Sequence, residues 1–368
     1  MDAVPHEVIA ARPAPARNSG PGAWLRANLF SDWQNALATL IILLVAARYL
    51  PGIFQWAVTD AITARDAQAC RALGHGGACW GVIAEKYRFV LFGRFPYDEQ
   101  WRPLVATAIL VGLLVASAAR RFWRAWLALV WIAGLAAFFL LMRGGLLGMS
   151  PVETERWGGF PLTMILTTLG IAAALPLAVL VALGRRSHLP AIRAVCTVYI
   201  ELVRGVPLVS VLFMASFMFP LFMPAGYAPD VLLRVLAGII LFAAAYLAET
   251  VRGGLQAVPA GQYEAAAALG LSYWQMQRKI VLPQALRIVV PGLVNSFIST
   301  YKDTSLVTIV GLYELTGALG LALRGDAEWR QFYFEGYLFI GLIYWIGCFA
   351  MSHYSQRMER ALNTGNRR

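Results

Sequence analysis

Eight apolar runs dominate the chain, at 33–50, 103–119, 125–142, 161–184, 194–222, 231–251, 287–314 and 333–354. Each matches or exceeds the roughly 17–25 residues with which a helix crosses a bilayer. The pattern predicts an all-α polytopic membrane protein with about eight transmembrane helices. The runs at 194–222 and 287–314 are longer than one straight crossing needs. Each is therefore expected to extend past the bilayer or to bend, at Pro207 and Pro291.

Three polar stretches interrupt the pattern. Residues 1–30 carry scattered Pro, Gly and Arg and read as a mobile cytoplasmic tail without a cleavable leader. Residues 51–102 alternate polar and apolar positions around two cysteines and are placed outside the membrane. Within them, 55–73 reads either as an amphipathic helix lying on the bilayer surface or as part of a small cap with no separable function. Residues 253–286 read as two short helices meeting at a sharp bend. Pro259 suits a first helical position and Glu264 lies near that helix's positive end. Gly270 supplies a left-handed turn, Ser272 and Gln275 have capping-box spacing, and Pro283 punctuates the second helix.

Composition agrees with the pattern, since 59% of the 368 residues are hydrophobic and 14% charged, against about 25% charged in a soluble domain. The net charge of +11 is spread in small clusters at the ends of apolar runs, which fits membrane topology and argues against a nucleic-acid partner. With the N-terminus inside, the inner segments hold Arg26, Arg120, Arg121, Arg185, Arg186, Arg252, Arg278, Lys279 and Arg357, while the short outer loops hold only Arg143, Arg156, Arg324 and Arg330. Both termini and the 253–286 knuckle are thus expected in the cytoplasm. The first three spans lack internal acidic residues, which suggests a boundary near Met149: an accessory extension over 1–150 and a five-span core over 151–368.

Several chemistries are not visible in the sequence. The lysines, Lys86, Lys279 and Lys302, precede Tyr, Ile and Asp, so no phosphate-cradling Gly-Lys-Ser/Thr loop exists. The four histidines are scattered and suggest neither a metal site nor a catalytic dyad; the chain is expected to be no enzyme and to bind no metal or cofactor. Cys70 and Cys79 flank a glycine-rich turn and read as a disulfide or as two free thiols, depending on the compartment. Cys196 and Cys348 fall in apolar runs as packing residues.

Ionisable groups inside spans demand a partner or water. Lys302 and Asp303 lie deep in the 287–314 run. Either they and their neighbours Thr304 and Ser305 line a polar path, or the two charges neutralise groups on an adjacent helix. Glu201 and Arg204, and likewise Glu249 and Arg252, are three positions apart and read as intrahelical pairs bracing the knuckle.

The knuckle's spacing carries a resemblance. Glu264-Ala265-Ala266, three residues, Gly270, nine residues, then Ile280-Val281-Leu282-Pro283 is similar to the cytoplasmic loop of ABC importer permeases. Tyr199-Ile200-Glu201-Leu202-Val203-Arg204-Gly205-Val206-Pro207, Ala248-Glu249-Thr250-Val251-Arg252-Gly253-Gly254 and Lys302-Asp303-Thr304-Ser305-Leu306 resemble motifs of the polar amino-acid branch, and the whole chain looks like the longer permease subunit of a general L-amino-acid transporter. The resemblance implies a type I importer core in a bacterial inner membrane. Its implied partners are a cytoplasmic ABC ATPase dimer that uses ATP and Mg, a second homologous permease and a periplasmic amino-acid-binding protein. It further implies that Glu264 anchors the docking helix, Ala265 and Ala266 permit close approach and Gly270 fixes the bend. If the 302–305 stretch lines a path rather than neutralising a neighbour, Asp303, Thr304 and Ser305 would meet the charged or hydroxyl-bonding parts of a zwitterionic amino acid. The competing expectation is a secondary transporter or channel subunit without ATP coupling.

Overall fold

The computed structural model describes residues 20–363 except Leu73, His75, Leu147, Ala225 and Tyr227. Most of the expected tail, and His75, lie outside the described residues. The chain divides into two compact units between Trp80 and Gly81. The expected boundary near Met149 is not a packing boundary, because the helices on either side of it pack together.

In the first unit, α1 (Pro21–Asn28) shows that the end of the expected tail is helical, started by Pro21 at a position where a missing N–H is harmless. Next, α2 (Trp33–Phe54) begins at Asp32, whose carboxylate accepts from Asn35 N at 2.8 Å. It is predominantly apolar and buries none of its residues, as suits lipid. The span does not stop at Pro51 as expected; it continues through a wide turn, Gln55–Thr59. Among the described residues of 55–73 no amphipathic helix runs the length of the segment: past Thr59 only α3 (Ala67–Ala72) is helical there, and Cys70 and Cys79 are joined by a disulfide with Cα atoms 5.6 Å apart. Hydrogen bonds fold that turn back onto the end of α2: Ile62 N to Ala78 O, Ala78 N to Trp56 O and Trp80 Nε1 to Ala57 O, each 2.8 Å. These tertiary ties override the helical periodicity.

The second unit begins with α4 (Gly81–Phe92), which the pattern placed in an outer loop. It packs against α7 (Gly159–Arg185) and α14 (Leu315–Arg324). Lys86 Nζ meets Asp326 at 2.7 Å, and that hydrogen bond holds the Asp326 carboxyl below its usual range. Two spans follow, α5 (Trp101–Ala118) and α6 (Trp126–Arg143), which pack on each other. Arg102, read as a loop residue, is fully buried at the start of α5; it pairs with Glu99 and donates to the carbonyls of Leu141 at 2.7 Å and Ser150 at 2.9 Å.

The centre of this unit is α7 against α10 (Val231–Ala257). Ala174, Ala178 and Ala182 recur every fourth residue on α7 and are fully buried in one cluster with Ala243, Ala244, Ala248 and Val251 of α10. Small side chains let two backbones approach closely, which is how helices associate where lipid supplies no hydrophobic drive. Gly254 lies inside the continuous α10, and a Cβ there would sit 2.6 Å from Ala285 O on α13 (Leu282–Asp303). The 194–222 run is broken: α8 (Pro190–Gly205) and the following α9 (Leu208–Phe213) with its extension to Phe222 are bent by 106°. Val206 is extended, as a residue before Pro207 prefers. Pro291, by contrast, lies within an unbroken α13, which ends at Asp303 in a tighter turn, Thr304–Val310. The last span, α15 (Tyr333–Asn363), packs on α13. Among the described residues, seven helices are long and apolar enough to cross a membrane, eight counting the bent pair, and no strands form beyond isolated bridges.

Candidate functional site: the coupling knuckle and the charges behind it

Two helices build the knuckle, α11 (Ala260–Ala268) and α12 (Tyr273–Met276). Pro259 is the residue before the helix rather than its first residue. Gly270 has φ 71° and ends α11 with paired bonds, Gly270 N to Ala267 O at 2.9 Å and Leu271 N to Ala266 O at 3.2 Å. This is the Schellman arrangement, which requires a left-handed residue at that position. Ser272 and Gln275 form a capping box that starts α12, with Gln275 Oε1 accepting from Ser272 N at 3.0 Å. Pro283 does not stop this second helix. A wide turn, Gln277–Val281, carries α12 directly into α13, where Pro283 falls in the first turn and needs no donor.

The knuckle is anchored on one side and bare on the other. Ala266, Val258, Gln277 and Val281 are buried, and Ile280 and Leu282 are half-buried. Glu264, Ala265, Gly270 and Pro283 are exposed, beside Leu269 at 76%, Trp274 at 64% and Tyr273 at 45%. Such a cluster of large apolar side chains on a polar loop marks an interaction surface. Gln284 Nε2 to Gln262 Oε1 at 3.0 Å, and Tyr263 Oη to Leu255 O at 2.9 Å, fix α11 to the spans behind it.

Behind the knuckle, the expected intrahelical pairs are partly replaced by pairs between helices. Glu249 does bind Arg252 on its own helix, but it also accepts from Arg185 of α7 at 2.8 Å and faces Arg204 of α8 at 3.8 Å. Glu201 pairs with Arg185 at 2.7 Å, not with Arg204. The sequence reading missed Arg185 because its partners are remote in the chain. Three guanidinium groups and two carboxylates thus join α7, α8 and α10 at one end.

Lys302 is exposed, Asp303 and Ser305 are half-buried, and Thr304 is buried with its hydroxyl donated to Tyr301 O at 2.7 Å. Among the described residues, neither the Lys302 nor the Asp303 side chain makes an ion pair or hydrogen bond. A second polar centre escaped sequence reasoning. Glu314 is fully buried at the start of α14; its Oε1 accepts from Thr316 N at 2.8 Å and Gly317 N at 3.0 Å, and its Oε2 from Tyr344 Oη at 2.6 Å, with Thr163 Oγ1 at 3.3 Å. The available signal was a single acid before Leu315-Thr316-Gly317, between two apolar runs. Among the described residues no group of three His, Cys, Asp or Glu side chains could hold a metal ion.

A multi-pass helical membrane protein that carries an anchored, half-bare knuckle between two spans has the build of a transport component moved by something outside itself. The chain belongs to the family of binding-protein-dependent transport system inner membrane components, which matches residues 174–363. It is 45% identical to the inner membrane amino-acid ABC transporter permease protein YhdY of Escherichia coli (strain K12), over 96% of each chain. It is 36% identical to the glutamate/glutamine/aspartate/asparagine transport system permease protein BztC of Rhodobacter capsulatus, over 98% of each. With the L-cystine transport system permease protein TcyB of Bacillus subtilis it shares 34% identity over 58% of this chain and 90% of that one.

Proposed function

We propose that this chain is the permease subunit of an ATP-driven importer that moves L-amino acids from the periplasm to the cytoplasm. The single observation that carries this reading is the knuckle, a bent helix pair hydrogen-bonded to the spans and bare on its far side. A short helix seated in a partner's groove transmits displacement without chemistry of its own. In this reading the partner is a cytoplasmic ATPase dimer, which binds the ATP and Mg; the chain itself binds no cofactor and catalyses no reaction. Both termini are cytoplasmic. A second, homologous permease completes the path, and a periplasmic binding protein delivers the amino acid.

Lys302, Asp303, Thr304 and Ser305 then face that path. Among the described residues neither the Lys302 nor the Asp303 side chain is held by an ion pair or hydrogen bond, which supports this, since charge at that depth needs water, substrate or another subunit to meet it. Residues 1–150 serve as an accessory extension to the 151–368 core, in keeping with shorter relatives that match little more than half the chain.

Purification from membranes tests the reading. An ATPase and a second permease should copurify, and amino-acid-loaded binding protein should stimulate ATP hydrolysis. A chain that purifies alone and transports in response to an ion gradient would establish a secondary transporter instead.

A further inference from the structure

Arg185 and Arg186 close α7, and their side chains run to different places. Arg186 Nη1 donates to Leu255 O at 2.6 Å and to Tyr263 Oη at 3.1 Å, and its guanidinium lies 5.5 Å from the centre of the Tyr263 ring. Leu255 is in the last turn of α10, where carbonyls have no helical donor. Arg186 and Tyr263 both satisfy that one carbonyl. Tyr263 immediately precedes Glu264 on α11, so a single contact point gathers the end of α7, the end of α10 and the exposed helix. One peptide bond away, Arg185 bridges Glu249 of α10 and Glu201 of α8.

We propose that Arg185 and Arg186 form the joint that delivers a displacement of the knuckle to the inner ends of α7, α8 and α10. Arg186 is a positioning residue that follows Tyr263, and Arg185 is the latch it moves. The proposal rests on the reading of α11 and α12 as the ATPase-docking element. Two features fit a joint better than a static brace. The charge cluster is partly exposed, with Glu249 at 25% and Glu201 at 58%, so water can replace each pair as it opens. The opposite polar centre at Glu314 is fully buried and bonded only to neutral donors, so separating it exposes unpaired groups. Of the two ends, the one held by Arg185 is the one that opens at small cost.

The test uses the complete complex in vesicles, with ATPase, second permease and binding protein, and reads amino acids imported per ATP hydrolysed. Arg186→Gln should lower that ratio about fivefold or more while hydrolysis without binding protein stays level or rises. Tyr263→Phe keeps the ring, removes both hydroxyl contacts and should lower the ratio too. The double variant should be no worse than the more severe single one, and Arg186→Lys should recover part of the ratio. An assembled Arg186→Gln or Tyr263→Phe complex with an unchanged ratio, including one whose import and hydrolysis fall together, overturns the joint. A wild-type complex with no ATP-dependent uptake contradicts the function reading itself, and the joint with it.

Discussion

Glu314 illustrates what single residues do in this chain. A carboxylate buried without a cation is stable only when its oxygens are met by donors, and here two backbone N–H groups and the Tyr344 hydroxyl supply them. Glu314→Ala strands those donors at about 1–3 kcal/mol each. It should lower the thermal unfolding temperature of the purified complex well below that of Glu314→Gln, which keeps an oxygen to cap α14. Equal unfolding temperatures for the two variants would contradict the clasp. At this scale the sequence was legible only where partners are local. The capping box of Ser272 and Gln275 could be read from spacing, and so could Arg252 beside Glu249. Arg185 with Glu201 and Thr163 with Glu314 could not, because which helices meet is decided by packing and not by spacing.

Elements were more legible than contacts. The membrane selects apolar runs by length, so the eight expected spans correspond to helices or to the bent pair. Their ends moved where backbone geometry outweighed composition: α2 runs past Pro51, and α12 runs into α13 because Pro283 falls in the first turn of α13, where a missing N–H is harmless. The disulfide-closed turn replaced an amphipathic helix for the same kind of reason, a tertiary constraint that periodicity does not encode. Gly270 is the element-scale position with the sharpest requirement. Proline cannot reach a φ of 71° and would also remove the N–H that bonds Ala267 O. Gly270→Pro should leave the protein in the membrane but cut ATP-driven uptake in reconstituted vesicles by more than tenfold, an estimate equal to losing about 1.4 kcal/mol of coupling; full coupling would show that the bend is dispensable.

On the scale of the whole molecule, the chain is organised by which parts are fixed and which are left bare. The α7–α10 seam is closed by alanines, the first half of the second unit is welded to it through α4, α5 and α6, and the knuckle presents large apolar side chains from an anchored base. Length and hydropathy could not reveal that α4 belongs to this body, because a 12-residue helix with Glu85, Lys86 and Arg88 resembles a surface loop until its partners are known. The proposed function requires that the knuckle face the cytoplasm and be covered there by a separate ATPase. Labelling of a Glu264→Cys variant with a membrane-impermeant thiol reagent tests it most directly. Modification is expected in inside-out vesicles stripped of the ATPase, with protection when the ATPase is restored and none in sealed right-side-out vesicles. Modification from the outer face, or modification indifferent to the ATPase, would contradict it.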